Sequence, residues 1–158
     1  YVAVSYDGDN PGQSVTGRRN TRNLLTHSCQ SSSTQNRSVL VLGGNDMLRG
    51  LSPSESEVNL RIILSPLSSH NVPVLLCGML AAENLGADYT QRFNAIYPRL
   101  ADEFDTFFMP FFLQDVALDP AMNQPDGLHP NSAGIDMIIT NILPELELLL
   151  ASLSAEKG

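Results

Sequence analysis

A chain of 158 residues is one domain's worth, long enough to bury about two-thirds of its unfolded surface. Hydrophobic residues make up 42% and charged residues 16%, which excludes a disordered, low-complexity polymer. The net charge of −8 and pI near 4.6 argue against a nucleic-acid partner, because phosphate binding needs a basic face. No apolar run approaches the roughly 20 residues of a membrane span.

The two cysteines, Cys29 and Cys77, cannot build a zinc site by themselves, and His27, His70 and His129 lie far apart. Cys77 stands in the apolar run Val74-Leu75-Leu76-Cys77 and is expected to be a small buried hydrophobe, with a disulfide to Cys29 left open. Starting at Tyr1 and showing no leader pattern, the chain reads as a mature form or a fragment, with no signal of compartment.

In chain order, Tyr1-Val2-Ala3-Val4-Ser5-Tyr6 is expected to be a strand, ending at Asp7-Gly8-Asp9. Residues 9–38 are rich in Ser, Asn, Thr, Gln and Arg, and form a polar connection, with a short helix expected around Arg19 to Leu25. Arg18, Arg19, Arg22 and Arg37 cluster there, a pattern more typical of a solvated face than of a binding patch. Val39-Leu40-Val41-Leu42, ended by Gly43-Gly44, has the pattern of a strand buried on both faces. Ser54 with Glu57 is expected to form a capping box opening a helix to about Ser69, with Leu60, Ile63, Leu64 and Leu67 inward and a kink at Pro66. Val72 to Leu76 is the next strand. A helix should then present Phe93, Ile96, Tyr97 and Leu100, followed by a short strand over Thr106 to Pro110. Ile135, Ile138, Ile139, Ile142 and Leu146 mark a last helix, interrupted at Pro144. This alternation, without internal repeats, predicts a single α/β domain spanning 1–158: a three-layer α/β/α sandwich on a mostly parallel sheet.

In such sheets a ligand site lies beyond the carboxyl ends of the strands. Gly43-Gly44-Asn45-Asp46 follows a strand directly; its glycines permit a tight turn, and Asn45 can offer an amide into the crevice, although the string is also a good generic turn. In Asp126-Gly127-Leu128-His129-Pro130, the spacing lets a carboxylate bond one imidazole nitrogen and leave the other for general base work. Gly8 offers a backbone N–H at a strand terminus, the kind of donor an oxyanion hole uses.

These strings, in this order, resemble the SGNH (GDSL-like) hydrolases, most closely the bacterial arylesterase and thioesterase-I/lysophospholipase type. Leu48-Arg49-Gly50-Leu51, Arg92-Phe93-Asn94-Ala95-Ile96-Tyr97-Pro98 and Pro110-Phe111-Phe112-Leu113 extend the likeness from Val39 to about Leu150. The resemblance implies a flavodoxin-like fold and ester hydrolysis through an acyl-enzyme. It makes His129 the general base, Asp126 its orienting carboxylate, and Asn45 and the Gly8 N–H the oxyanion donors. Met79, Leu80, Ala81, Ala82 and Leu85 would line a pocket for a small aryl or short-chain acyl ester, with no metal or organic cofactor. The family's nucleophile stands in a Gly-Asp-Ser-Leu-like block after its first strand, whereas here Gly8-Asp9 is followed by Asn10. Three readings stay open. Tyr1 to Tyr6 fills the first-strand slot, with Ser5 or Ser14 as the substitute nucleophile; a second copy completes the sheet in a homodimer; or the chain is a truncated, impaired relative that binds acyl ligands.

Overall fold

The computed structural model describes Ala3–Tyr6, as backbone, and residues 37–152. Four strands form one sheet in the order β1-β2-β3-β4: β1 Ala3–Tyr6, β2 Arg37–Val41, β3 Val74–Cys77 and β4 Phe107–Met109. β2, β3 and β4 are parallel and end level with one another, Val41 opposite Cys77 and Cys77 opposite Met109. β3 lies between two parallel neighbours, and all four of its residues are buried, as an apolar run without alternation requires. The expected N-terminal strand is present, but it runs antiparallel to β2. Ala3 faces Leu40 and Tyr6 faces Arg37, so β1 finishes at the end where β2 begins.

Among the described residues the α-helices are α1 Gly44–Leu48, α2 Pro53–Ser69, α3 Ala87–Asn94, α4 Ile96–Phe104 and α5 Ser132–Ala151. The cap of α2 is Ser52, not Ser54: its Oγ accepts from Glu55 N at 3.2 Å, and Pro53 takes the first helical position. A proline there loses nothing, since that N–H would be unpaired in any case, and its fixed φ suits the turn. Glu57 instead pairs with Arg99 at 3.0 Å and Arg61 at 3.3 Å. Leu60 and Leu64 are fully buried, with Ile63 and Leu67 packed beside them.

The single helix expected around Phe93 to Leu100 is two, parted at Ala95. Pro98 has no N–H to bond the carbonyl of Asn94, four residues back, so the chain restarts with Pro98 in the first turn of α4. Pro66 and Pro144 end neither of their helices. Both are exposed, and the carbonyls they leave without a donor belong to the exposed residues Ile62 and Thr140, where water can replace the bond.

α2, α3 and α4 pack on one another, and α4 joins them to β3 and β4. α5 makes its main contacts with the same two strands rather than with those helices, the arrangement of a sheet flanked by helices. Phe93, Ile96, Tyr97 and Leu100 form the centre of the core with Leu60, Leu75, Leu76 and Cys77. The expected stripe of α5 is only half used. Ile138 is buried and Ile142 and Leu146 are packed, but Ile135 and Ile139 are 50% and 53% exposed.

Candidate active site

Beyond the level ends of β2, β3 and β4, three connections leave from the carboxyl edge of the sheet. The first is the turn into α1. Gly43 has φ +97°, and a Cβ on it would overlap the Tyr97 hydroxyl. Tyr97 is buried and donates to the Leu42 carbonyl at 2.9 Å, with burial raising its pKa so that the proton stays on. This packing sets Asn45, half-buried, in the first turn of α1. Phe93 meets Tyr97 edge-on, ring centroids 5.8 Å apart, which adds to the rigidity of the support.

The second connection starts at Gly78, whose N–H donates to Met109 O at 2.8 Å and whose carbonyl accepts from Phe112 N at 2.9 Å. A Cβ on Gly78 would overlap the Pro110 carbonyl, so glycine is what keeps the ends of β3 and β4 joined. Ala81 N then donates to Asn94 Oδ1 at 2.7 Å, and Thr90 Oγ1 to Ala82 O at 3.2 Å, pinning the segment to α3.

The third connection runs from β4 to α5 and carries Asp126 and His129. One carboxylate oxygen of Asp126 accepts from the Leu128 and His129 N–H groups at 2.9 and 3.0 Å; the other bonds His129 Nδ1 at 2.6 Å. Gly127, at φ +67°, makes the turn that lets the carboxylate fold back. The Leu128 N–H, then the imidazole and the N–H of His129, hold the Asp126 carboxyl down at about 2. The pair is open to solvent, with side-chain exposures of 57% for His129 and 45% for Asp126. With Nδ1 engaged, Nε2 is the ring nitrogen available for proton transfer.

Of the other residues singled out in the sequence, Met79 and Ala81 are buried in the core, whereas Leu80, Ala82 and Leu85 are exposed at the carboxyl edge. Ser5 lies in β1 opposite Ser38. Gly8, Ser14 and Cys29 lie outside the described residues. Tyr6, the last residue of β1, stands at the end of β2 away from Gly43. Among the described residues no serine hydroxyl is hydrogen-bonded to His129, no cluster of three His, Cys, Asp or Glu could hold a metal, and no helix is long and apolar enough to cross a membrane. Cys77 is a free, buried thiol.

Sequence reasoning passed over Asn94, Tyr97 and Asn131 as parts of the site. Asn94 and Tyr97 stand in the string Arg92 to Pro98, where periodicity registers Tyr97 only as core. Asn131 caps α5, accepting from Gly134 N at 3.1 Å, and also donates to Ala121 O and Asn123 O at 2.8 and 3.2 Å.

Comparison with known proteins agrees with this architecture. A family model described as GDSL-like Lipase/Acylhydrolase family matches residues 2–136. The chain is 42% identical over 119 residues to thioesterase 1/protease 1/lysophospholipase L1 of Escherichia coli (strain K12), covering 75% of this chain and 57% of that protein. It is 36% identical over 112 residues to esterase TesA of Pseudomonas aeruginosa, covering 71% and 56%. Among solved structures, the crystal structure of TesA superposes with a TM-score of 0.66 at 35% identity, over 70% of this chain and 62% of that one. AlinE4, an SGNH-hydrolase family esterase, gives 0.59 at 38% identity, over 82% and 67%. The chain spans a little more than half the length of the two protein relatives, 57% and 56%.

Proposed function

This chain belongs to the GDSL-like lipase/acylhydrolase family, and we propose that it hydrolyses small aryl or short-chain acyl esters with His129 as general base and Asp126 as its orienting carboxylate. One observation carries this reading: the 2.6 Å bond from His129 Nδ1 to a carboxylate whose other oxygen is held by two backbone N–H groups. A carboxylate so fixed selects the tautomer with its proton on Nδ1, which leaves the Nε2 lone pair for a nucleophile's proton.

In the proposed reaction a serine hydroxyl attacks the ester carbonyl as His129 Nε2 takes its proton. The oxyanion accepts from the Asn45 amide. The tetrahedral intermediate collapses as His129 returns the proton to the leaving alcohol. Water then repeats the sequence on the acyl-enzyme, releasing the acid and the free serine. Ser14 is the candidate for the nucleophile; Ser5, opposite Ser38 near the start of β2, stands about 10 Å from the carboxyl edge that carries Asn45 and His129 and does not fit that role. Leu80 and Leu85, apolar and exposed at this edge, are suited to contact the acyl or aryl group. The names of the relatives extend the substrates worth assaying to thioesters and lysophospholipids. The chemistry uses no metal or organic cofactor.

A second reading is favoured by the direction of β1. Because β1 is antiparallel to β2 and ends opposite Arg37, it finishes at the other end of the sheet from Asn45. In this reading the nucleophile comes from a second copy in a homodimer, or the chain binds acyl ligands without turning them over. Two measurements separate the readings: p-nitrophenyl acetate hydrolysis and sedimentation of the same sample. A monomer with turnover that His129→Ala abolishes supports the first. Turnover confined to a dimer supports the second, and a ligand-binding monomer without turnover points to the impaired relative.

A further inference from the structure

We propose that Asn131 is a positioning residue: it sets where the Asp126–His129 pair stands relative to the sheet, apart from its role as the cap of α5. The inference rests on the reading of His129 as general base.

The Asp126–His129 turn is closed upon itself. Both carboxylate oxygens are used within four residues, so the internal geometry of the pair needs no outside support. What must come from outside is the placement of the turn. It sits at the tip of a narrow two-stemmed loop: Gln124 N donates to His129 O at 2.7 Å, Asn123 and Pro130 form a β-bridge, and Asn131 N donates to Met122 O at 2.9 Å. On the incoming stem, buried Asn123 donates through Nδ2 to Val116 O and Asp119 O at 2.6 and 2.8 Å.

Asn131 joins the two stems to the helix. Its Oδ1 accepts from Gly134 N in α5, while its Nδ2 donates to Ala121 O and Asn123 O on the incoming stem. Gly134 completes the joint: a Cβ there would overlap the Met122 carbonyl, so the stem lies directly on the first turn of α5. Capping alone requires a side-chain acceptor, which Ser, Thr and Asp supply as well as Asn. The two donor bonds require the amide NH2. One residue, Pro130, separates Asn131 from His129, and a displacement of about 1 Å at a reacting group is enough to cost on the order of a hundredfold in rate.

The test compares Asn131→Ser and Asn131→Asp with the unaltered chain. Both keep an oxygen to accept from Gly134 N and lose the amide NH2 that makes the two donor bonds; Ser retains one hydroxyl donor on a shorter side chain, and Asp sets a carboxylate against two carbonyl oxygens. The expected result is a kcat about 10- to 100-fold lower with KM within about twofold, and Tm lowered by only about 2–4 °C. Ring 15N shifts should still report the His129 proton on Nδ1, while exchange quickens at the backbone amides of Gln124 and of position 131. A kcat within twofold of the unaltered chain would overturn the proposal and leave Asn131 a helix cap. So would a changed His129 tautomer, which would mean that Asn131 shapes the pair rather than placing it. If the unaltered chain shows no turnover, the general-base reading fails by itself, and the exchange arm decides on Asn131: unchanged protection at Gln124 overturns its positioning role.

Discussion

Gly43→Ala tests the packing behind Asn45. Two costs combine in that variant. An alanine held at φ +97° pays about 1–2 kcal/mol for the left-handed backbone. Its methyl also overlaps the Tyr97 hydroxyl, which must withdraw and leave the buried Leu42 carbonyl without its donor, adding about 1–3 kcal/mol. The sum is about 2–5 kcal/mol. Tyr97→Phe alone removes the same hydrogen bond and should cost about 1–3 kcal/mol. In the double variant the overlapping atom is gone and the nearest ring atom, Cζ, lies 3.3 Å from the new methyl, so the hydrogen-bond loss is counted once. The double variant should therefore be about as stable as Gly43→Ala, giving a coupling of about 1–3 kcal/mol. Urea unfolding followed by far-UV circular dichroism on the four proteins measures it. Costs that add to within about 0.5 kcal/mol would show that Gly43 and Tyr97 act independently, and would refute the reasoning.

Other outcomes follow from the same geometry. The Asp126 carboxyl is held at about 2 against an ordinary 3.8, so the free energy it gives the folded turn is complete above the ordinary value and is lost as pH falls through about 2. Carbon NMR of its carboxyl group should show that midpoint, and a midpoint near 3.8 would mean the turn is not closed in solution. Burial pushes the Cys77 thiol up to about 12, so it should react with a disulfide reagent only after urea unfolding; rapid reaction in buffer would contradict its place in the core. Leu60→Ala, at a fully buried position of α2, should cost about 2–5 kcal/mol by the same urea assay, and a cost below 1 kcal/mol would contradict that packing.

Much of the fold can be read from local pattern, and its gaps have physical reasons. β2 and β3 are legible because a strand buried on both faces must be apolar without alternation. The cap of α2 was not, because Ser52-Pro53-Ser54-Glu55 and Ser54-Glu55-Ser56-Glu57 both fit the capping pattern, and the proline decides between them. The break at Ala95 follows from one missing N–H, at Pro98, inside an otherwise continuous apolar stripe. The direction of β1 is invisible in a four-residue run, since a strand's period is the same read either way. In the site, the contact between Asp126 and His129 is local and therefore readable from spacing. Asn131 acts on Ala121, ten residues back in a loop of no periodic structure, and that pairing leaves no mark on either residue by itself.

The claim at the centre of this account is that His129, held by Asp126, activates a serine of this chain. Reaction of the purified 158-residue protein with a fluorophosphonate, followed by peptide mass spectrometry, tests it most directly. The account predicts one labelled serine, with the label lost in His129→Ala. A folded sample that takes no label, or a label that survives His129→Ala, would contradict it.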